Sequence, residues 1–246
     1  MSFSAEEVDR YARHLVLREI GGAGQQKLKA ASVLVVGVGG LGGPAALYLA
    51  AAGVGRIGLI DADTVALSNL QRQVIFGAAD VGRPKVKVAA QALRALNPEI
   101  AIDAHNARLT SRNAAPIDRY DLILDGTDDF ETRLAVSDAC LEHGKTLVSG
   151  AIGRWSGQVG VFAHQPCYRC LVREVPPDAE TCEAVGVVGA LAGVVGSMMA
   201  LEAIKLITGA GEPLTGRLLI YDSLTAEART VRVAPDPSCP SCGGAK

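Results

Sequence analysis

Between residues 32 and 149, short apolar runs rich in β-branched residues alternate with helix-patterned segments, and this alternation constrains the fold more than any other feature. SVLVVG (residues 32–37), RIGLID (56–61) and the segments 100–104, 121–125 and 146–149 read as strands. Residues 41–52, 84–96 and 131–142 read as helices between them, the second with Pro84 at its start, where a missing N–H costs nothing. Strand–helix–strand repetition implies parallel pairing through crossovers, and so an α/β, doubly wound sheet. From Gly157 the pattern changes. Strands at 158–163, 218–221 and 229–233 flank a glycine-rich apolar helix, which predicts an antiparallel extension of the same sheet. Near the N-terminus Val8, Ala12, Leu15 and Glu19 fall about one helical turn apart, predicting a helix over 5–19. With no low-complexity linker and no internal repeat, residues 1–246 are expected to form one domain, with a helical segment over 1–30 and a C-terminal elaboration over 157–246.

Gly37, Gly39 and Gly42 give G-x-G-x-x-G between the first strand and the next helix, the loop of a Rossmann-like fold. Such glycines permit a tight turn and let backbone N–H groups approach phosphate oxygens at a helix N-terminus. Asp61 ends the second strand, where a carboxylate accepts hydrogen bonds from ribose hydroxyls. This fingerprint alone serves NAD, FAD or ATP equally. From Asp61 to Lys85 the chain reads DADTVALSNLQRQVIFGAADVGRPK, which brings in Asn69, Gln71, Arg72, Gln73 and Lys85. A triphosphate needs several cations and donors over its oxygens and a metal to neutralise the rest; a dinucleotide does not. Asp128 and Asp129, in DGTDDF at the carboxyl edge of the strand 121–125, stand where a carboxylate would hold Mg²⁺. Taken singly, Asn69–Gln73 also fits a solvated loop and Asp128 a helix N-cap. Taken together they point to a triphosphate site.

Cys167/Cys170 and Cys239/Cys242 are two C-x-x-C pairs, able to supply four thiolates to a structural Zn²⁺ that would staple the chain end to the body. Cys140 falls on the apolar face of a helix and suits packing. The N-terminus lacks the apolar core of a signal peptide, so the cytoplasm is the expected compartment, where thiols stay reduced. A net charge of −2 gives no reason to expect nucleic acid or an anionic membrane as partner. Residues 184–201 are long and apolar enough to suggest a membrane span. They run directly into Glu202 and Lys205, however, and glycines at 186, 189, 193 and 196 make a smooth face for close packing, so a helix buried in a soluble core is expected.

In RYARH, VGVGGLGGP, LIDADTVALSNLQRQ, DVGRPKV, LNPEI, DGTDDF and the C-terminal CPSCG, the chain resembles the MoeB/ThiF family of sulfur-carrier adenylyltransferases, relatives of ubiquitin-activating enzymes. The resemblance implies ATP-dependent adenylation of the C-terminal glycine carboxylate of a ubiquitin-like sulfur carrier ending in Gly-Gly, with release of pyrophosphate. By matching, Gly40 lies against the phosphates and Asp61 binds ribose, while Asn69, Arg72 and Lys85 contact the triphosphate. The same segment adds Asp63, Ser68, Leu70 and Gln71 to the nucleotide contacts, and Asp128 becomes the Mg²⁺ ligand. An arginine matching Arg13 reaches into the neighbouring subunit's site, which implies a homodimer. The family's zinc on the two C-x-x-C pairs is structural. A cysteine matching Cys182 lies in a loop over the active site and in some thiamine-pathway members bonds to the carrier. In molybdopterin-pathway members the adenylate suffices. TCEAVGVVGALAGVVGS is more similar to the molybdopterin subgroup. With no rhodanese-like segment, the sulfur is expected from a separate donor protein. One departure stands out: Asp129 replaces the family's usual asparagine. Two other classes remain open at this point, an NAD-dependent dehydrogenase and a non-catalytic, zinc-stapled binding module.

Overall fold

The computed structural model describes residues 3–175 and 186–243. Its sheet begins with β1 (Ser32–Val36), β2 (Arg56–Ile60), β3 (Ala101–His105), β4 (Leu122–Asp125) and β5 (Thr146–Gly153). These pair in parallel in the order β3-β2-β1-β4-β5. From β5 the sheet continues antiparallel through β6 (Ser156–Phe162), β7 (Arg217–Asp222) and β8 (Glu227–Arg232). The expected parallel body and antiparallel extension both form. β1 shows why its sequence is apolar throughout: Val33 and Val35 enter one core, Leu34 and Val36 the other. A parallel strand covered on both faces has no polar side to present. β8 is the opposite case. Every residue of EARTVR is exposed, and its charges blunt a free sheet edge.

The helices are α1 (Ala5–Arg10), α2 (Ala12–Leu15), α3 (Gly21–Ala30), α4 (Gly42–Ala51), α5 (Lys85–Leu96), α6 (Phe130–Glu142) and α7 (Gly189–Thr208). Side chains of α4, α5 and α7 fill the core on one face of the sheet, and those of α6 fill the other. Pro84 stands at the N-cap of α5, one residue before the helix, and not inside its first turn.

The helix expected over 5–19 breaks at Tyr11, which ends α1 and begins α2. The break has a packing cause. Tyr11 is only 4% exposed and its ring covers Gly53, where a Cβ would come within 2.5 Å of it. Its hydroxyl accepts a hydrogen bond from buried Asn97 Nδ2 at 2.9 Å, whereas Val8, the first of the residues at helical spacing, is 46% exposed.

α7 is apolar and long enough to cross a membrane by length and composition, yet it packs on α3, α4, β5 and β6. Leu191, Val195, Met199 and Ala203 are buried there. The residues 184–185 that opened the predicted segment lie outside the described residues. Of its glycines, two require close approach: a Cβ on Gly189 would sit 2.2 Å from Gln71 O, and on Gly196 2.5 Å from Leu41 O. Gly193 meets nothing within 4 Å, and Gly186 precedes the helix.

Glu7 closes a capping box with Ser4 and pairs with Lys29 Nζ at 2.6 Å. Lys29, with the Ser4 N–H, holds this carboxyl below its ordinary 4.5. A lowered carboxyl stabilises the fold above its ordinary pKa and loses that contribution as pH falls through the lowered value. Glu7→Gln should therefore cost about 1–2 kcal/mol near neutrality. Thermal unfolding at neutral pH and at about pH 3 tests this, because the gap from wild type must shrink in acid. A gap of equal size at both pH values would refute it.

Candidate nucleotide site and cysteine cluster

The carboxyl ends of β1 to β5 open onto one cavity of about 310 Å³. It lies where the connections from β1 and β4 diverge, the place at which open α/β sheets bind ligands. Gly37, Gly39 and Gly40 line it after β1, Asp61 and Asp63 after β2, and Asp128 and Asp129 after β4. Arg72 and Lys85 enter from the polar segment between β2 and α5. Gln73 lines it as well, whereas the remaining predicted residues of that segment do not. Ser68 O accepts from Arg72 Nη1 at 3.1 Å, Asn69 Oδ1 accepts from Ala66 N at 3.3 Å, and Gln71 O lies under Gly189. Ser68, Asn69, Leu70 and Gln71 thus form the turn that carries Arg72. Gly42 shapes the loop from behind, because a Cβ there would stand 1.8 Å from Gly37 O. Arg13 is exposed on α2 and does not line the cavity of its own chain. Cys182 lies outside the described residues.

The charges are arranged unequally. Asp61 Oδ2 accepts from Val38 N and Oδ1 from Asp63 N, both at 2.8 Å. Burial pushes its carboxyl up, opposed by the Asp63 N–H and by Lys85. Lys85, 5% exposed, is held by Asp63 Oδ2 at 2.9 Å. Asp129 caps α6 by accepting from Thr132 N at 2.7 Å, and its other oxygen lies 4.0 Å from Arg108 Nη1. The carboxylate that replaces the family's asparagine is therefore a helix cap beside a cation. Asp128 differs: among the described residues its side chain makes no hydrogen bond or ion pair, and it is exposed to the cavity.

Three residues that sequence reasoning left without a role, Asp125, Arg133 and Tyr168, complete the walls together with Gln73. Asp125 is buried, and its Oδ1 accepts from both N and Oγ1 of Thr127, at 3.0 and 2.6 Å. Arg133, one turn into α6, and Tyr168 also line the cavity. Gln73 is 5% exposed, and its Oε1 is buried without a hydrogen-bond partner among the described residues. One signal was available: a cation near a helix N-terminus, as at Arg133, opposes the macrodipole and needs a local reason. The residues present fit an anionic ligand carrying a divalent cation. Arg72 and Lys85 can meet phosphate, Asp128 is free to ligate Mg²⁺, and the Gln73 oxygen awaits a donor.

Sγ atoms of Cys167, Cys170, Cys239 and Cys242 all lie within 4.8 Å of one another. The nearest pairs, Cys170–Cys242 at 3.4 Å and Cys167–Cys239 at 3.6 Å, are too far apart for a disulfide. They suit a tetrahedral Zn²⁺, whose thiolate ligands stand roughly 3.8 Å apart when each bond is about 2.3 Å. Burial opposes ionisation of Cys239, but backbone N–H groups of Cys242 and Ser241 outweigh it and bring the thiol to about 7. Asp138 of α6 ties both halves of the cluster. It accepts from Arg169 Nε and Nη2 at 2.7 Å each and from Ser241 Oγ at 2.7 Å.

Known proteins share this architecture. The chain is 50% identical, over 99% of its length and 93% of the other's, to the sulfur carrier protein adenylyltransferase of Thermus thermophilus. It is 46% identical to the molybdopterin-synthase adenylyltransferase of Escherichia coli, with 98% of each chain covered. Against the probable adenylyltransferase/sulfurtransferase MoeZ of Mycobacterium tuberculosis identity is again 50% over 97% of this chain, which spans only 63% of that longer protein. The crystal structure of E. coli MccB with MccA-N7isoASN superposes at a TM-score of 0.84, covering 95% of this chain and 75% of that one, and at 24% identity it shows a common fold. The ThiF family profile matches residues 11–241, from buried Tyr11 to the last C-x-x-C, and on that extent the chain belongs to the ThiF family.

Proposed function

We propose that this protein is an adenylyltransferase that uses ATP to activate the C-terminal glycine carboxylate of a ubiquitin-like sulfur carrier. The observation that carries the reading is Asp128, unpaired among the described residues, in the same cavity as Arg72 and Lys85 and beside the glycine loop. A hydride-transfer enzyme has no use for that set. In the reaction a carrier carboxylate oxygen bonds to the α-phosphorus, the bond to the bridging oxygen breaks, and pyrophosphate leaves with the electron pair. The chain's task is to align these groups and screen their charge. Backbone N–H groups at Gly39 and Gly40 donate to phosphate oxygens, Asp61 accepts from ribose hydroxyls, and Arg72 and Lys85 neutralise the anion. Asp128 would hold Mg²⁺, which when bound offsets the charge on the departing pyrophosphate. The four cysteines would hold Zn²⁺ as a structural ion.

The carrier is proposed to be that of molybdopterin synthesis. Support comes from the name and full-length coverage of the E. coli relative, while the Thermus relative's name leaves the pathway open. ATP–pyrophosphate exchange with each carrier in turn tests both levels. Exchange is expected to require a carrier ending in Gly-Gly and to favour the molybdopterin one. Preference for a thiamine-pathway carrier would correct the pathway. No exchange with any carrier, alongside tight NAD binding, would refute the adenylation reading. We further propose a homodimer in which Arg13 completes the partner's site. Its exposure on α2, away from its own cavity, supports this arrangement.

A further inference from the structure

Arg133 is a cation, only 5% exposed, in the cavity wall, with no carboxylate within ion-pairing distance among the described residues. Burying a charge is costly unless something fixed receives it. The Asp125 and Asp128 carboxylates favour it from a distance, and its hydrogen bonds go to backbone: Nη2 donates to Thr127 O and, at 2.8 Å, to Gly150 O of β5. Thr127 is gripped from the other side too, since its N–H and hydroxyl both donate to Asp125. Every polar group of the residue immediately before Asp128 is therefore committed to a buried partner. Behind Arg133 stands Tyr168, 3% exposed and packed edge-on against Phe162 with ring centres 5.4 Å apart. Both line the same cavity wall, and the Arg133 guanidinium opposes the rise that burial imposes on the Tyr168 phenol.

We infer that Arg133, backed by Tyr168, is a positioning residue that clamps the Thr127 carbonyl and thereby aims the Asp128 carboxylate at the site's divalent cation. The inference rests on the adenylation reading and deepens it. A purely structural alternative has Arg133 merely tying α6 to β5. The two differ in what they do to metal use. A clamp on the peptide before a ligand acts on metal affinity, as groups behind metal ligands do, commonly by about 10–100-fold. A structural tie weakens the fold and all nucleotide binding alike.

The test uses Arg133→Lys, which keeps the charge but loses the fork, and Tyr168→Phe, which loses only a hydroxyl. Calorimetry with a non-hydrolysable ATP analogue is run with Mg²⁺ and with EDTA, beside Mg²⁺ titrations of carrier-dependent exchange and thermal melts. Arg133→Lys should need about tenfold more Mg²⁺ for half-maximal exchange, with Tyr168→Phe shifted in the same direction. Analogue affinity in EDTA should stay within about twofold of wild type in both. Should Arg133→Lys fail to fold, Tyr168→Phe decides alone. An unchanged Mg²⁺ requirement, or equal loss of analogue affinity with and without metal, overturns the inference. So does a further loss of Mg²⁺-dependent affinity in calorimetry when Arg133→Lys is added to an Asp128→Ala background. Wild-type protein without exchange activity would instead defeat the adenylation reading, and the calorimetric arms would still judge the clamp.

Discussion

Asp128→Ala should reduce carrier-dependent ATP–pyrophosphate exchange by about three orders of magnitude while leaving the melting temperature nearly unchanged. The two halves of this expectation have separate causes. The carboxylate is proposed to ligate the ion that offsets charge on the departing pyrophosphate, so its loss acts where charge develops. Yet among the described residues it caps no helix and pairs with no cation, and it is exposed, so the folded state has little to lose. Asp129→Ala should behave in the opposite way, destabilising α6 by about 1 kcal/mol through the lost cap and affecting turnover less. Subunit geometry adds a sharper readout. If Arg13 serves the partner's cavity, Arg13→Ala and Asp128→Ala proteins, each inactive, should regain about a quarter of wild-type exchange when mixed and re-equilibrated. In that mixture half of the dimers are mixed, and each mixed dimer holds one intact site. Full exchange by Asp128→Ala alone would remove the metal-ligand assignment, and no recovery on mixing would remove the shared site.

Loss of one cysteine of the cluster is the second large effect. Cys239→Ser should lower stability by about 3–5 kcal/mol, because a cross-link at that position closes a long loop and its loss returns that freedom to the unfolded chain. Prolonged chelation of wild-type protein should move the melting transition the same way and release one zinc per chain in a colorimetric assay. A Cys239→Ser protein that melts with wild type, or chelated protein that yields no metal, would show that the four sulfurs serve another purpose.

How far the sequence could be read depended on whether each feature was local. β1 to β5 were legible because strands covered on both faces must be continuously apolar, and β8 was placed although it is wholly exposed. The glycine loop was legible for a similar reason, since a Cβ on Gly42 collides with Gly37 O only five residues away. Residues 68–71 show the limit. Their composition announced a polar loop near phosphate, but composition does not say which side chains turn inward, and in this chain Arg72 does so while its predecessors build the turn. Tyr11 was missed because its partners, Gly53 and Asn97, are distant in sequence, so no helical period reveals that the helix must break there. Asp125, Arg133 and Tyr168 were missed for the same reason: their roles exist only where β4, α6 and the first C-x-x-C meet.

The spacing of the cysteines also sets an order of events during synthesis. Cys167 and Cys239 are 72 residues apart, so at ordinary elongation rates roughly 4–14 s separate their appearance. By then β1 to β6 and the nucleotide cavity's glycine loop have left the ribosome ahead of α7, β7 and β8. The proposed zinc would lack its full ligand set until the chain is almost finished. A truncated chain ending before Cys239 would carry the glycine loop and Asp128 but never close the cluster that ties its end to α6.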